Sequence, residues 1–317
     1  MSRPFSERVA QDDWRHAAEG WARTVLERAG RDVTGPVDQL RIRPWSTQLT
    51  IPTDRGRVWL KANCTYLAFE PRLHAELARL APGSVDAPLA IDDRGWMLTA
   101  DRGSTLGETE EPSVDDWSRV LRGAADLQRV LAAREAELLA TGLPDCRPAS
   151  VIDRFDRLVE IFSGLPEHHP AHVSVDLRSE LSSARGRIVD AVAELDESSL
   201  PTTWQHGDLH PWNVFADDGT MFDFADSQWA HALELLIVPF GCITQQGKIA
   251  WEDVLEAYCD VWDVARVDLA SQWRAVSLTQ PVNRTLLWWG CLQEATAGEW
   301  QQWSESVLHH LRRVLEP

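Results

Sequence analysis

His206-Gly207-Asp208-Leu209-His210-Pro211-Trp212-Asn213, answered ten residues after the asparagine by Asp223-Phe224, decides how this 317-residue chain is read. Gly207 and Pro211 flank the aspartate and exclude a helix there. Asp208 and Asn213, five apart, therefore sit on a loop and can face one pocket from opposite sides of a turn. The Ala216-Asp217-Asp218-Gly219 turn folds the chain back as a hairpin and brings Asp223 beside Asn213. Two oxygen ligands close together suit Mg²⁺, which takes few protein ligands and completes its shell with water or phosphate oxygens. A carboxylate that orients a hydroxyl, metal ligands and a cation for the phosphates are what phosphoryl transfer asks of a protein.

Working outward, the preceding text is β-rich and then helical. Residues 1–30 carry Val9, Trp14, Ala17, Trp21, Val25 and Leu26 at helical spacing. LRIRPW, TQLTIP and RVWLKA follow as short strands, the last two separated by the Thr53-Asp54-Arg55-Gly56 turn, with Lys61 near the end of the third. A helix is predicted over Tyr66 to Leu80, then the strands PLAID and GWMLTA. Beyond Gly103 the pattern is helical. Ser113 and Asp116 make a capping signature ahead of a stripe of Trp117, Val120, Leu121, Ala124, Leu127, Val130 and Leu131. Further helices are predicted over Ala149 to Phe162, Val175 to Leu195, Leu233 to Thr244, and in pieces from Trp251 to Leu315. The outline is α+β and bilobal: residues 1–102 form a small β-rich lobe, residues 103–317 a larger helical one, and a ligand belongs in the cleft between them.

Composition narrows the function. The formal charge is −18, from 31 basic and 49 acidic side chains, which repels nucleic acid and favours cationic partners, or serves solubility alone. Five scattered cysteines without CxxC spacing argue against a disulfide framework or zinc site and fit a reducing cytoplasm. The first residues lack the apolar core of a secretory signal, and the longest apolar run, around Leu233 to Ile243, is broken by Glu234, Pro239 and Gly241, so no membrane span is expected. Lysine occurs only at positions 61 and 248 in a chain that otherwise uses arginine. An ammonium retained on an apolar strand suits a point contact to phosphate.

On these residues the chain resembles the aminoglycoside phosphotransferase and choline kinase superfamily, relatives of the protein kinases. Its HGDxxxxN signature stands as His206-Gly207-Asp208 to Asn213, and its downstream acidic element as Phe222-Asp223-Phe224-Ala225-Asp226. The resemblance covers roughly Gly35 to Leu235. It implies ATP and Mg²⁺ as cofactors, Asp208 as catalytic base, and Asn213 and Asp223 as metal ligands. It places Lys61 on the nucleotide phosphates, held by a glutamate of the following helix. Glu70 falls in line with Leu73, Leu77 and Leu80 and is preferred to Glu76, which sits at the edge of that stripe. The resemblance puts the adenine against a hinge at Thr99 to Arg102, so that Thr99 and Asp101 are cofactor-binding residues. No glycine-rich loop joins the first strands. Arg43-Pro44-Trp45-Ser46-Thr47 stands there, with Ser46 or Thr47 as a donor to phosphate. Asp226 is a substrate-facing or supporting acid. The expected role of His206 is a ring bonded to nearby backbone, and Glu234 stands where the family has a structural aspartate.

Other chemistries fit less well. His206 and His210 lie four apart but not on a helix, and no third zinc ligand is evident. There is no GxSxG nucleophile elbow for a serine hydrolase. A helix begins so soon after Asp223-Phe224 that no protein-kinase activation segment fits, which points to a small acceptor. The sixteen tryptophans read first as core. The expected activity is transfer of the γ-phosphate of ATP to a hydroxyl of a small molecule, with a cationic aminoglycoside or amino sugar favoured by the charge. A choline-like alcohol, homoserine, a macrolide or another sugar are alternatives. The rival from another class is a nucleotide-binding protein that kept the fold without turnover, against which the joint retention of Lys61, Asp208, Asn213 and Asp223 argues.

Overall fold

Thr53-Asp54-Arg55-Gly56 closes the hairpin on which the small lobe is built. Gly56 takes a positive φ of 94°, and the Thr53 hydroxyl donates to the Gly56 carbonyl. In the computed structural model, which describes residues 3–109 and 111–316, this hairpin is the centre of a five-stranded antiparallel sheet. Its strands are β1 (Asp38–Ile42), β2 (Ser46–Thr53), β3 (Gly56–Asn63), β4 (Ala90–Asp92) and β5 (Trp96–Ala100), in the order β1-β2-β3-β5-β4. Side chains alternate between faces. Leu49, Ile51, Val58, Leu60, Trp96 and Leu98 are buried together under a helix, α2 (Asp12–Arg28). The opposite face carries Lys61, whose register partners are Gln48 and Met97, and it turns toward the cleft.

The N-terminal stretch is two helices rather than one. A short α1 (Phe5–Val9) precedes α2 and bridges the sheet to the C-terminal helices: the Val9 carbonyl accepts from Gln39 of β1 at 3.2 Å, and the Phe5 N–H bonds the Glu294 carbonyl at 3.1 Å. The expected stripe holds at Trp14, Trp21, Val25 and Leu26, which pack against the sheet, while Ala17 is exposed and Ala18 and Ala22 are buried in its place. After β3 the chain makes a 3₁₀ turn at Thr65–Leu67 before α3 (Glu70–Leu80), which therefore begins four residues later than the pattern suggested.

The larger part is helical: α4 (Val114–Leu131), α5 (Glu135–Leu139), α6 (Val151–Ser163), α7 (Val175–Asp196), α8 (Ile237–Phe240), α9 (Trp251–Trp262), α10 (Leu269–Leu292) and α11 (Ala297–Arg313). The Ser113–Asp116 capping box forms in both directions, and the apolar stripe of α4 is buried apart from Val130, which is about half exposed. A two-stranded ribbon, β6 (Thr202–Gln205) with β7 (Gln228–His231), is the only β-structure of any length here among the described residues, and the decisive loop is strung between its strands. Gln128 of α4, fully buried, fixes that ribbon. Its amide donates to the carbonyls of Trp204 and Ala232 at 3.0 and 2.9 Å and accepts from the Tyr258 hydroxyl. No helix among the described residues is long and apolar enough to cross a membrane.

The helix predicted over Leu233 to Thr244 is not regular. A 3₁₀ turn at Ala232–Leu236, the short α8 and a π-helical turn at Gly241–Gln246 replace it. Pro239 lacks the donor that a continuous α-helix needs, and widened and tightened turns accommodate the loss. Glu234, in the first of these turns, accepts from the Thr279 hydroxyl at 2.7 Å and the Asn283 amide at 2.8 Å, both on α10. It is buried, and burial pushes its carboxyl up to about 7 from an ordinary 4.5, opposed by those two bonds. A carboxyl whose folded pKa is raised contributes stability that is present below its unfolded pKa and lost as pH rises through the folded one. Replacing Glu234 by Leu is therefore expected to cost about 2–3 kcal/mol more at pH 5 than at pH 8, measured as urea unfolding free energy of the two proteins side by side. An equal penalty at both pH values would show that Glu234 is ionised in the folded protein throughout.

Candidate active site

The decisive loop leaves β6 at Gln205 and is shaped by its own side chains. His206 is buried. Its Nε2 lies 3.0 Å from the Phe222 carbonyl, and its Nδ1 accepts the Asp208 N–H at 3.3 Å. Burial pushes the ring down to about 4, so it is the neutral tautomer with the proton on Nε2. Gly207 adopts φ 83°, and a Cβ there would run into the Asp226 carbonyl oxygen, so glycine is required on both counts. The Asn213 amide donates to the Asp208 carbonyl at 2.9 Å, and the Phe222 N–H bonds the Asn213 carbonyl at 3.0 Å. The hairpin read from Ala216 to Gly219 forms as a single bridge, Val214 to Met221, rather than as full strands. It sets Asp223 immediately beyond the pairing with Asn213.

Asp223 occupies the left-handed region at φ 63°, ψ 72°, a strained conformation for a residue other than glycine. That turn aims its carboxylate at the sheet, where Oδ1 lies 2.7 Å from Lys61 Nζ. Glu70, at the first turn of α3, approaches the same ammonium from the other side at 2.7 Å and is wholly buried. Asn63 donates to Glu70 Oε2 at 2.6 Å and locks it. Glu76 is instead engaged by Arg79 on the surface. One ammonium is thus shared by two carboxylates. Burial would lower Lys61, but Asp223 and Glu70 raise it above its ordinary value. Burial raises Glu70, while Lys61 brings Asp223 down despite its burial.

Asp208 lies across the cleft floor. Its Oδ1 accepts from Arg284 at 3.0 Å, and its Oδ2 is 3.4 Å from His210 Nε2. Burial alone would raise its pKa, yet the Arg284 guanidinium and His210 hold it well below the usual carboxylate range. Asp226 shares the same guanidinium, but burial, reinforced by Asp208 and Asp223, pushes it up to about 6. Arg284, in the middle of α10, escaped the sequence reading. The one signal for it is a charged residue inside the apolar text Val282 to Trp289, which in a buried helix calls for a partner.

The cleft encloses about 1180 Å³, and Lys61, Glu70, Asp208, Asn213, Asp223 and Asp226 all line it. Ser46 lines it too, whereas Thr47 lies on the other face of β2, bonded to the Arg41 carbonyl. Thr99 and Asp101 stand at its far edge. The Asp101 carboxylate is occupied by Arg57 and the Gly103 N–H, so it shapes the crossing between the lobes. The donor set fits a magnesium ion: an amide oxygen from Asn213, turned away from the bond its Nδ2 makes, and a carboxylate from Asp223, both hard oxygens.

The sequence model of the phosphotransferase enzyme family, APH, matches residues 62–267, well over half of the chain. No protein of curated function matches by sequence. Among solved structures, the chain is similar to a GDP complex of aminoglycoside 2'-phosphotransferase-IIIa, at a TM-score of 0.60 and 15% identity over 94% of this chain and 97% of that one. It is similar to an ethanolamine kinase of Plasmodium vivax at a TM-score of 0.61 and 10% identity, covering 92% and 85% of the two chains. Choline kinase LicA of Streptococcus pneumoniae gives 0.56 and 13%, covering 94% and 97%. At such identities the structures speak for the fold, bilobal with a small antiparallel sheet and a larger helical part, and the family match carries the kinship: the chain belongs to the phosphotransferase enzyme family.

Proposed function

We propose that this protein transfers the γ-phosphate of ATP to a hydroxyl of a small molecule. The observation that carries the reading is the convergence of Lys61, Asp208, Asn213 and Asp223 on one cleft. In this reading residues 1–102 are the nucleotide lobe and residues 103–317 carry the catalytic loop and the acceptor site. The adenine lies against the crossing at Thr99 to Arg102, Lys61 binds the α and β phosphates, Glu70 steadies Lys61, and Ser46 donates to a phosphate oxygen. Asn213 and Asp223 hold Mg²⁺, which when bound neutralises charge on the triphosphate.

Asp208 orients the acceptor. Its carboxylate stays ionised at neutral pH, so it accepts a hydrogen bond from the hydroxyl and takes the proton as the oxygen bonds to phosphorus. The bond from the γ-phosphorus to the bridging oxygen breaks in line, and ADP departs. The acceptor is a small alcohol. Aminoglycosides, amino sugars, macrolides, choline-like and ethanolamine-like alcohols, homoserine and sugars are the classes to assay, and in this reading the enzyme works in the cytoplasm.

Asp208→Asn should reduce turnover by about 10²–10⁴-fold while leaving ATP affinity, read by calorimetry, nearly unchanged. Turnover at the wild-type rate in that variant contradicts the assignment of the base. The metal ligands are tested apart from catalysis. Wild-type protein should bind ATP more tightly with Mg²⁺ than with EDTA, and Asp223→Asn should abolish that difference. If the magnesium dependence survives, the ion is held elsewhere.

A further inference from the structure

α10 bonds Glu234 and the catalytic-loop side of the site. Thr279 and Asn283 hold Glu234, and Asn283 also accepts from Arg154 at 2.6 Å, which fixes how the helix is rotated about its axis. The residue after Asn283 is Arg284, on the side toward the catalytic loop. Its guanidinium is almost fully enclosed, with a side-chain exposure of 10%. Three acceptors take up its donors: Asp208 Oδ1 at 3.0 Å, the Gly207 carbonyl at 3.1 Å, and Asp226 Oδ1. An arginine held on two carboxylates and the carbonyl between them is a rigid fork, since its donors lie in one plane with fixed directions.

We propose that Arg284 is a positioning residue for phosphoryl transfer: it grips Asp208 by one oxygen so that the other, Oδ2, is presented to the acceptor hydroxyl. This rests on the reading of Asp208 as the base. A carboxylate tied at Oδ1 is restrained from rotating about its terminal bond, so the direction of Oδ2 is biased before any acceptor arrives. The only protein group near Oδ2 among the described contacts is His210, a long contact at 3.4 Å that helps to keep Asp208 ionised and leaves the oxygen's second lone pair for an acceptor hydroxyl. The same fork draws Asp226 toward the Gly207 peptide, against which the Asp226 carbonyl is already packed. Arg284 thus joins the two chain segments, 206–213 and 223–226, that carry the catalytic acid groups. It also offsets the mutual repulsion of Asp208 and Asp226, which share one enclosed space.

The test uses the full-length protein and two variants, Arg284→Ala and Arg284→Lys. Hydrogen–deuterium exchange needs no substrate. In Arg284→Ala the amides of residues 207–209 should exchange about tenfold faster or more, while α4 and the β2–β3 hairpin keep their wild-type rates. Low concentrations of guanidinium ion should restore the slow exchange by filling the vacated space. Turnover of MgATP, with the best acceptor from the panel above or with water, should fall about 10–100-fold in Arg284→Ala with the KM for ATP changed by no more than about twofold. Arg284→Lys should recover part of the loss, because an ammonium reaches one carboxylate but not the whole fork. Unchanged exchange at 207–209, exchange accelerated across the whole chain, or Lys and Ala equally impaired with a raised KM for ATP would each overturn the proposal. If wild-type protein consumes no ATP with any acceptor or with water, the kinase reading falls, and the exchange data still decide whether Arg284 holds the loop.

Discussion

The ammonium of Lys61 lies between Glu70 of the small lobe and Asp223 of the large one, and this shared ion pair is the constraint around which the site is organised. Three formal charges in an enclosed space are costly unless their geometry is good and their remaining bonds are made. The surroundings meet that demand. Asn63 completes Glu70, the register of β2, β3 and β5 directs Lys61 into the cleft, and the left-handed turn at Asp223 aims its carboxylate upward. Removing one member would leave another buried and unpaired, so the three positions stand or fall together. Asp223 and Asn213, on either side of the Val214–Met221 bridge, both line the cleft beside this ion pair.

Around that centre the lobes are pinned at both ends of the cleft. At the crossing, Arg102 bonds Asp86, Asp217 and Asp218 at 2.8, 2.9 and 2.8 Å, joining the loop before β4 to the hairpin beyond Asn213. At the opposite end, Trp45 packs edge-on against Trp288 and Trp303, with ring centroids 5.4 and 4.9 Å apart. Nearby, Glu294 accepts from Arg8 and from the Thr65 N–H. Between β1 and β2 this chain carries an indole anchored on helices of the other lobe. The tip of the β1–β2 hairpin is therefore held by aromatic contact, and the sheet reaches the cleft in one orientation.

Much of this is legible in the sequence, and for local reasons. Strand alternation puts Lys61 opposite the face buried by α2, and the helical period puts Glu70 on the inward side of α3, because each depends only on neighbours within a few residues. The loop from His206 to Asn213 is legible because Gly207 and Pro211 restrict its backbone. What sequence reasoning missed is non-local. Arg284 meets Asp208 from 76 residues away, and Trp45 meets Trp303 across most of the chain, contacts that leave no periodic trace. Near misses have equally physical causes. Ala18 lies in line with Ala22 and Leu26 at four-residue spacing whereas Ala17 falls outside that line, and the stretch around Pro239 breaks into tight and wide turns because one backbone donor is absent.

The central claim is that one magnesium–nucleotide complex is held between Lys61 on one side and Asn213 and Asp223 on the other. A crystal structure with Mg²⁺ and a non-hydrolysable ATP analogue tests it most directly. The account predicts a metal about 2.0–2.1 Å from an Asn213 oxygen and an Asp223 oxygen, with Lys61 Nζ against the α and β phosphates. A nucleotide bound with its phosphates away from Lys61, or a metal that neither Asn213 nor Asp223 touches, would contradict it.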